Sequence, residues 1–352
     1  VLPIRQFQSE NTARPCKSNE IRLFYDCGTG SRGIAVAQAT QQDKQDDVFI
    51  DDITFPAVDG YSLAATLYLP RGRKRSAVLI NSAAAVPRKV YRNFAAYLAG
   101  RGCAVLTYDY RGIGGSRQQS LTGFNKPRSL VGFDASMSTW AARDVTAAVA
   151  WMRGRYKELP LTYIGHSFGG QALGLLPNNA EVARALLVSA QAAYWKLMPT
   201  PERYRVYALM KFAGVPITKL LGYAPGRMGI GEDLPKGVFE EWTRWVMSPN
   251  YLFDDKSLTT VGNFANYTGA LRALSFTDDK WAPRQSVELL CRGFVKSEAE
   301  IMSIAPADVG APSIGHLGFF KPEHRDTLWR GAAEWLEFGL VEPRRYSAAS
   351  RA

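Results

Sequence analysis

Histidine and cysteine are scarce in this chain, three and four among 352 residues, and the scarcity narrows its chemistry. The cysteines, Cys16, Cys27, Cys103 and Cys291, form no CxxC pair and have no histidine at metal-ligand spacing. That excludes a disulfide scaffold and leaves zinc and redox chemistry without support. Cys103 opens an apolar run and Cys291 lies in a predicted helix, so both read as small buried hydrophobes. Long apolar runs are missing as well: the longest, near Ala77 to Val86 and Ala147 to Met152, fall short of the ~20 residues a bilayer span needs. The opening residues, VLPIRQFQSENTARPCKSNE, lack the basic start, apolar block and small-residue cleavage site of a secretory signal, so the expected location is the cytoplasm. GxxxxGK[ST], HExxH and EF-hand patterns are absent, and neither a cofactor nor a metal is expected.

Negative charge is in deficit. There are 43 Lys plus Arg against 32 Asp plus Glu, for a formal +11, and residues 1–176 carry 22 of the basic and 13 of the acidic side chains. The tightest basic cluster, Arg71, Arg73, Lys74 and Arg75, lacks the interleaved aromatics of a nucleic-acid face. It reads as a solvated turn, and no nucleic-acid partner is expected.

What is present is an ordinary globular balance, 46% hydrophobic and 21% charged. Residues 1–47 are polar and aperiodic and read as an N-terminal extension; residues 341–352 read as a tail. From Val48, VFIDDITF and SLAATLYL alternate like antiparallel strands around the Asp59-Gly60 turn, which predicts a hairpin at a sheet edge. Six apolar runs follow: AVLINS, AVLTYDY, LTYIGHS, ALLVSA, ALRALSF and EIMSIAP. Most are separated by helical patterns, and unbroken runs of this kind suit parallel strands covered on both faces. The prediction is an α/β fold with a mostly parallel eight-stranded sheet, its core in residues 48–190 and 270–340. Residues 191–269 break the alternation with helix-like stretches and many aromatics. They are expected to form a helical cap over the carboxyl edge of the sheet, where open parallel sheets bind ligands.

The sharpest local signal is Gly165-His166-Ser167-Phe168-Gly169, a GxSxG placed between a strand pattern and a helix pattern. Ser167 then occupies a strained turn that exposes its hydroxyl, and the flanking glycines leave room for backbone. A serine needs a base, and only three residues can be it. His166 lies within the turn and is expected to point away from the reacting face; His324, in KPEHRD, is expected to be solvated. That leaves His316, in the loop SIGHLGFF. The orienting acid is expected from SFTDDKWAP: Asp279 is favoured and Asp278 is the alternative. Oxyanion donors are expected from the Phe168 N–H and from Ala83 or Ala84 in the loop after AVLIN. Arg111-Gly112-Ile113-Gly114-Gly115-Ser116 follows a strand, but a dinucleotide fingerprint would need glycine where Arg117 stands, so it reads as a turn.

GHSFGG, DYRGIGGS, DDKWAP and GHLGFF together resemble the α/β-hydrolase superfamily, and more narrowly its bacterial serine aminopeptidase-like or predicted α/β-hydrolase group. The resemblance runs from about Val48 to Leu340 and implies a Ser167–His316–Asp279 triad that transfers acyl groups to water without a cofactor. Asn81-Ser82 replaces the family's frequent His-Gly, and residues 1–47 match no family segment. The expected partner is a small acyl substrate with an apolar part; cap aromatics such as Tyr194, Trp195, Tyr204, Tyr207, Trp242, Trp245, Tyr251 and Phe253 read as cap packing, with the lining of an apolar acyl pocket as the alternative. An acyltransferase on the same triad, or a non-catalytic binding protein of this fold, are the alternatives.

Overall fold

The computed structural model describes residues 48–117 and 129–338. The N-terminal extension, the C-terminal tail, Cys16 and Cys27 lie outside the described residues. Eight strands form one sheet: β1 Val48–Pro56, β2 Ser62–Pro70, β3 Ser76–Asn81, β4 Cys103–Tyr108, β5 Leu161–His166, β6 Arg184–Val188, β7 Ala270–Phe276 and β8 Ala299–Ile304. Their spatial order is β1-β2-β4-β3-β5-β6-β7-β8. The first two pair as the antiparallel hairpin read from their alternation, with Val48 opposite Pro70 and Pro56 opposite Ser62. From β4 across to β8 every pairing is parallel.

The unbroken apolar runs have a simple cause. Every residue of β3, β4 and β5 is buried, because alternate side chains feed two different cores. Val78, Ile80, Val105 and Ile164 pack with Phe94 and Leu98 of α1 (Arg92–Gly100) and with Trp329 near the chain's last described helix. Leu79, Leu106 and Tyr163 face the other way, onto Val149 and Met152 of α2 (Thr146–Arg155) and Ala172 of α3 (Phe168–Leu173). Shifting a strand by one residue would exchange the two sets, so the register is well specified.

The glycine turn after β4 has a structural purpose. A Cβ on Gly114 would lie 2.6 Å from Asp109 Oδ2, and Gly115 N–H donates to the same oxygen at 2.9 Å. These glycines pack around a carboxylate that also pairs with Arg88, as the reading of a turn requires.

Between β6 and β7 the chain forms α4 (Glu202–Ala208), α5 (Val215–Leu221) and α6 (Lys236–Met247). This segment is tied to a loop and to helices that follow the carboxyl ends of the strands. Glu232 N–H donates to Ala85 O at 2.9 Å, and Tyr251 Oη donates to Gln171 Oε1 at 3.2 Å. A third tie runs from Gln285 Nε2 to Leu197 O at 2.5 Å.

Candidate active site

Ser167 sits between β5 and α3 with φ 51° and ψ −116°, a backbone state that side-chain-bearing residues rarely adopt. Packing enforces it. A Cβ on Gly165 would come within 2.5 Å of Gly170 Cα, and one on Gly169 within 2.3 Å of Asn81 O. The turn is thus clamped against β3 and against the first turn of α3, while Ser167 N–H donates to Val188 O on β6 at 3.0 Å. Beneath it, Phe168 packs against Tyr110 and Trp140 with ring centroids 5.6 and 5.7 Å away.

The candidate acid and base follow β7 and β8. Asp279 is buried just after β7, and its Oδ2 lies 2.8 Å from His316 Nδ1. Its other oxygen accepts the N–H groups of Trp281 at 2.9 Å and Ala282 at 3.1 Å. Burial alone would raise this carboxyl, but the charge and hydrogen bond of His316, with the Trp281 N–H, outweigh it and hold the pKa below the ordinary aspartate value. The neighbouring Asp278 does something different: its oxygens accept Ile314 N–H at 2.8 Å and Gly315 N–H at 3.0 Å. It grips the backbone at the start of the one-turn helix Gly315–Gly318, which carries His316 in place of the plain loop expected from sequence, and only Asp279 meets the imidazole. With Asp279 on Nδ1, His316 Nε2 is the nitrogen left for a reacting proton.

The three histidines separate clearly. His166 is buried, with Nδ1 2.8 Å from Tyr91 Oη and Nε2 2.8 Å from the His316 carbonyl oxygen. This contact ties the Ser167 turn to the His316 loop, and the ring centroids of the two histidines are 5.2 Å apart. His324, expected to be solvated, is instead buried, with Nε2 lacking a hydrogen-bond partner. The reason is that the chain after His316 folds back through Phe319, Leu328 and Trp329 into the core, which carries His324 inward.

The candidate oxyanion donors also separate. Phe168 N–H opens α3, where a helix leaves its first donors without an intrahelical acceptor. Ala83 N–H is occupied, donating to Tyr91 Oη at 2.9 Å, so the second candidate donor is Ala84. Asn81, standing where the resemblance leads one to look for histidine, is a buried tie: it accepts from Tyr108 Oη at 2.8 Å and donates to Ile164 O at 3.2 Å.

The aromatics of 191–269 divide by burial. Trp245 and Tyr251 are fully buried and pack on each other at 5.7 Å, so they are core residues. Trp242 is buried too and lies 5.8 Å from Trp281, whose ring is 6.5 Å from that of His316, whereas Tyr204 is exposed. Among the described residues no group of three or more His, Cys, Asp or Glu is placed to hold a metal ion, and no helix is long and apolar enough to cross a membrane.

Comparison with known proteins agrees with this architecture. The sequence model described as the alpha/beta hydrolase family matches residues 77–326. None of the curated proteins matches the chain. Among solved structures it is similar to an esterase of Pyrococcus furiosus, at 16% identity and a TM-score of 0.52, over 85% of this chain and 94% of that one. It is also similar to Est1E of Butyrivibrio proteoclasticus, solved with ferulic acid bound, at 15% identity and a TM-score of 0.52, over 81% and 97% of the two chains. A third is a thermostable carboxyl esterase of Bacillus coagulans in complex with glycerol, at 13% identity and a TM-score of 0.52, over 82% and 97%. At these identities the likeness is one of fold.

Proposed function

The chain belongs to the alpha/beta hydrolase family, and from that premise we propose that it is a serine hydrolase of ester-like bonds working through an acyl-enzyme. The observation that carries this reading is the Asp279–His316 hydrogen bond at 2.8 Å, on a segment that the His166–His316 contact ties to the strained, glycine-clamped turn of Ser167.

The steps follow from those groups. Ser167 Oγ attacks the carbonyl carbon as its proton passes to His316 Nε2, and Asp279 stabilises the imidazolium from Nδ1. Phe168 N–H and Ala84 N–H are the donors for the oxyanion. Collapse of the tetrahedral adduct breaks the bond to the leaving oxygen, sulfur or nitrogen, which takes the proton from Nε2. A water molecule then gives a proton to the same nitrogen as it attacks the acyl carbon, and collapse of this second adduct breaks the bond to Ser167 Oγ, which takes the proton back from Nε2 as the acid leaves.

Residues 191–269 are the cap in this reading, and its Trp242, with Trp281 from the loop after β7, forms an apolar wall beside the base. Carboxylic esters, thioesters and amides are all admitted; peptides enter through the resemblance to the serine aminopeptidase-like group. The test is a panel of p-nitrophenyl esters of increasing acyl length. Turnover is expected for at least one ester and is expected to vanish in Ser167→Ala. Absence of turnover across the panel, together with no covalent labelling by a fluorophosphonate, would contradict the proposal.

A further inference from the structure

The proposed reaction leaves one buried titratable pair unused. His166 and Tyr91 are both fully buried and so cannot touch substrate, yet three hydrogen bonds run through them. The His316 carbonyl and the neutrality of the buried His166 ring together fix their polarity. The His316 carbonyl can only accept, so His166 Nε2, 2.8 Å away, carries the proton. A neutral imidazole protonated there has a bare Nδ1, so the Tyr91 hydroxyl donates to it across 2.8 Å. A lone pair of that hydroxyl accepts the Ala83 N–H at 2.9 Å. From Ala83 to His316 each donor meets one acceptor, all in one direction and without net charge. Burial keeps the chain in this state by pushing the His166 pKa down to about 3.

The ends of this chain are the two loops whose spacing the reaction needs. One is the turn after β3 that carries Ala84; the other is the loop after β8 that carries His316. Among the described residues no direct hydrogen bond joins residues 81–86 to residues 312–318. Phe320 seats both intervening rings, its centroid 4.6 Å from that of Tyr91 and 5.0 Å from that of His166, which holds their planes.

We infer that His166 and Tyr91 are positioning residues, a neutral strut that sets the distance between the oxyanion donor loop and the backbone of the base. The inference rests on the reading of Ser167, His316 and Ala84 as the reacting site. Catalysis is sensitive to such spacing, since a displacement of about 1 Å can cost about 100-fold in rate.

Tyr91→Phe deletes a single hydroxyl, leaving the ring and its seat on Phe320. His166→Leu removes both ring nitrogens, whereas His166→Gln keeps an N–H donor for the His316 carbonyl. On an ester that the wild type turns over, Tyr91→Phe and His166→Leu are expected to lower kcat about 10- to 100-fold with KM within about twofold. The rate of fluorophosphonate labelling is expected to fall in parallel, and His166→Gln to recover most of the loss. Circular dichroism and melting temperature establish that each variant is folded. If His166→Leu does not fold, Tyr91→Phe decides. A folded Tyr91→Phe with wild-type kcat and labelling rate would overturn the strut while leaving Ser167 as nucleophile. Equal losses in His166→Gln and His166→Leu would overturn it too, because the donor to the carbonyl would then not matter. A wild type that neither labels nor turns over would instead remove the reading on which the strut rests.

Discussion

The two halves of the site are held in place by different forces. Around Ser167 the backbone is wedged: Gly165 and Gly169 touch Gly170 and Asn81 so closely that no side chain fits. Around His316 the loop is hung from two carboxylates, Asp278 on its backbone and Asp279 on its imidazole. Steric clamping is insensitive to pH and fails through added volume. Polar suspension tolerates volume and fails through lost charge or lost acceptors. The nucleophile and the base should therefore respond to different perturbations.

The largest separation is expected from Asp279→Asn. By analogy with triads in which the acid fixes the imidazole tautomer, kcat is expected to fall about 10⁴-fold with the fold intact, as kinetics alongside circular dichroism would register. A loss of less than about 10-fold would mean that the imidazole does not depend on this carboxylate. On the clamped side, Gly169→Ala inserts one methyl against Asn81 O and should cost about 1–3 kcal/mol of stability, measured by urea unfolding, together with most of the labelling at Ser167. A variant as stable and as reactive as wild type would show that the turn is not clamped. Asp278→Asn is smaller: it weakens two charge-assisted bonds to backbone, and kcat should fall about 10-fold because the base is displaced slightly rather than lost.

The smallest expected effect is on pH dependence. The Asp279 carboxyl has a folded pKa below its ordinary value of 3.8, so its contribution to stability is present above that value and is lost as pH falls through the folded pKa. His316 faces it and supplies much of the effect. Melting temperatures of wild type and Asp279→Asn should therefore converge below about pH 3.8 and part above it. A gap of constant size at every pH would contradict the linkage.

The same division explains what could be read from sequence. The clamped half is legible because its signature is local: a GxSxG between a strand and a helix marks the turn even though β3 and β6 complete the clamp, and the apolar runs of β3, β4 and β5 predict strands covered on both sides. His316 is legible through scarcity, one of three histidines and the one in a glycine-containing loop after the last strand. Adjacent acids, by contrast, differ only in direction, so Asp278 and Asp279 separate only when the loop at Ile314 is in place. Ala83 and Ala84 separate only through the hydroxyl of Tyr91, and the His166 contact joins residues 150 positions apart. His324 is drawn inward by Phe319 and Trp329, which the charged context KPEHRD conceals.

The central claim is that the hydroxyl clamped at the end of β5 is the reacting atom. The most direct measurement is mass-spectrometric mapping of the fluorophosphonate adduct on the full chain. A single phosphonyl group on Ser167, formed with loss of fluoride and absent in Ser167→Ala, is the expected result. An adduct on another residue, or one that persists in Ser167→Ala, would contradict it.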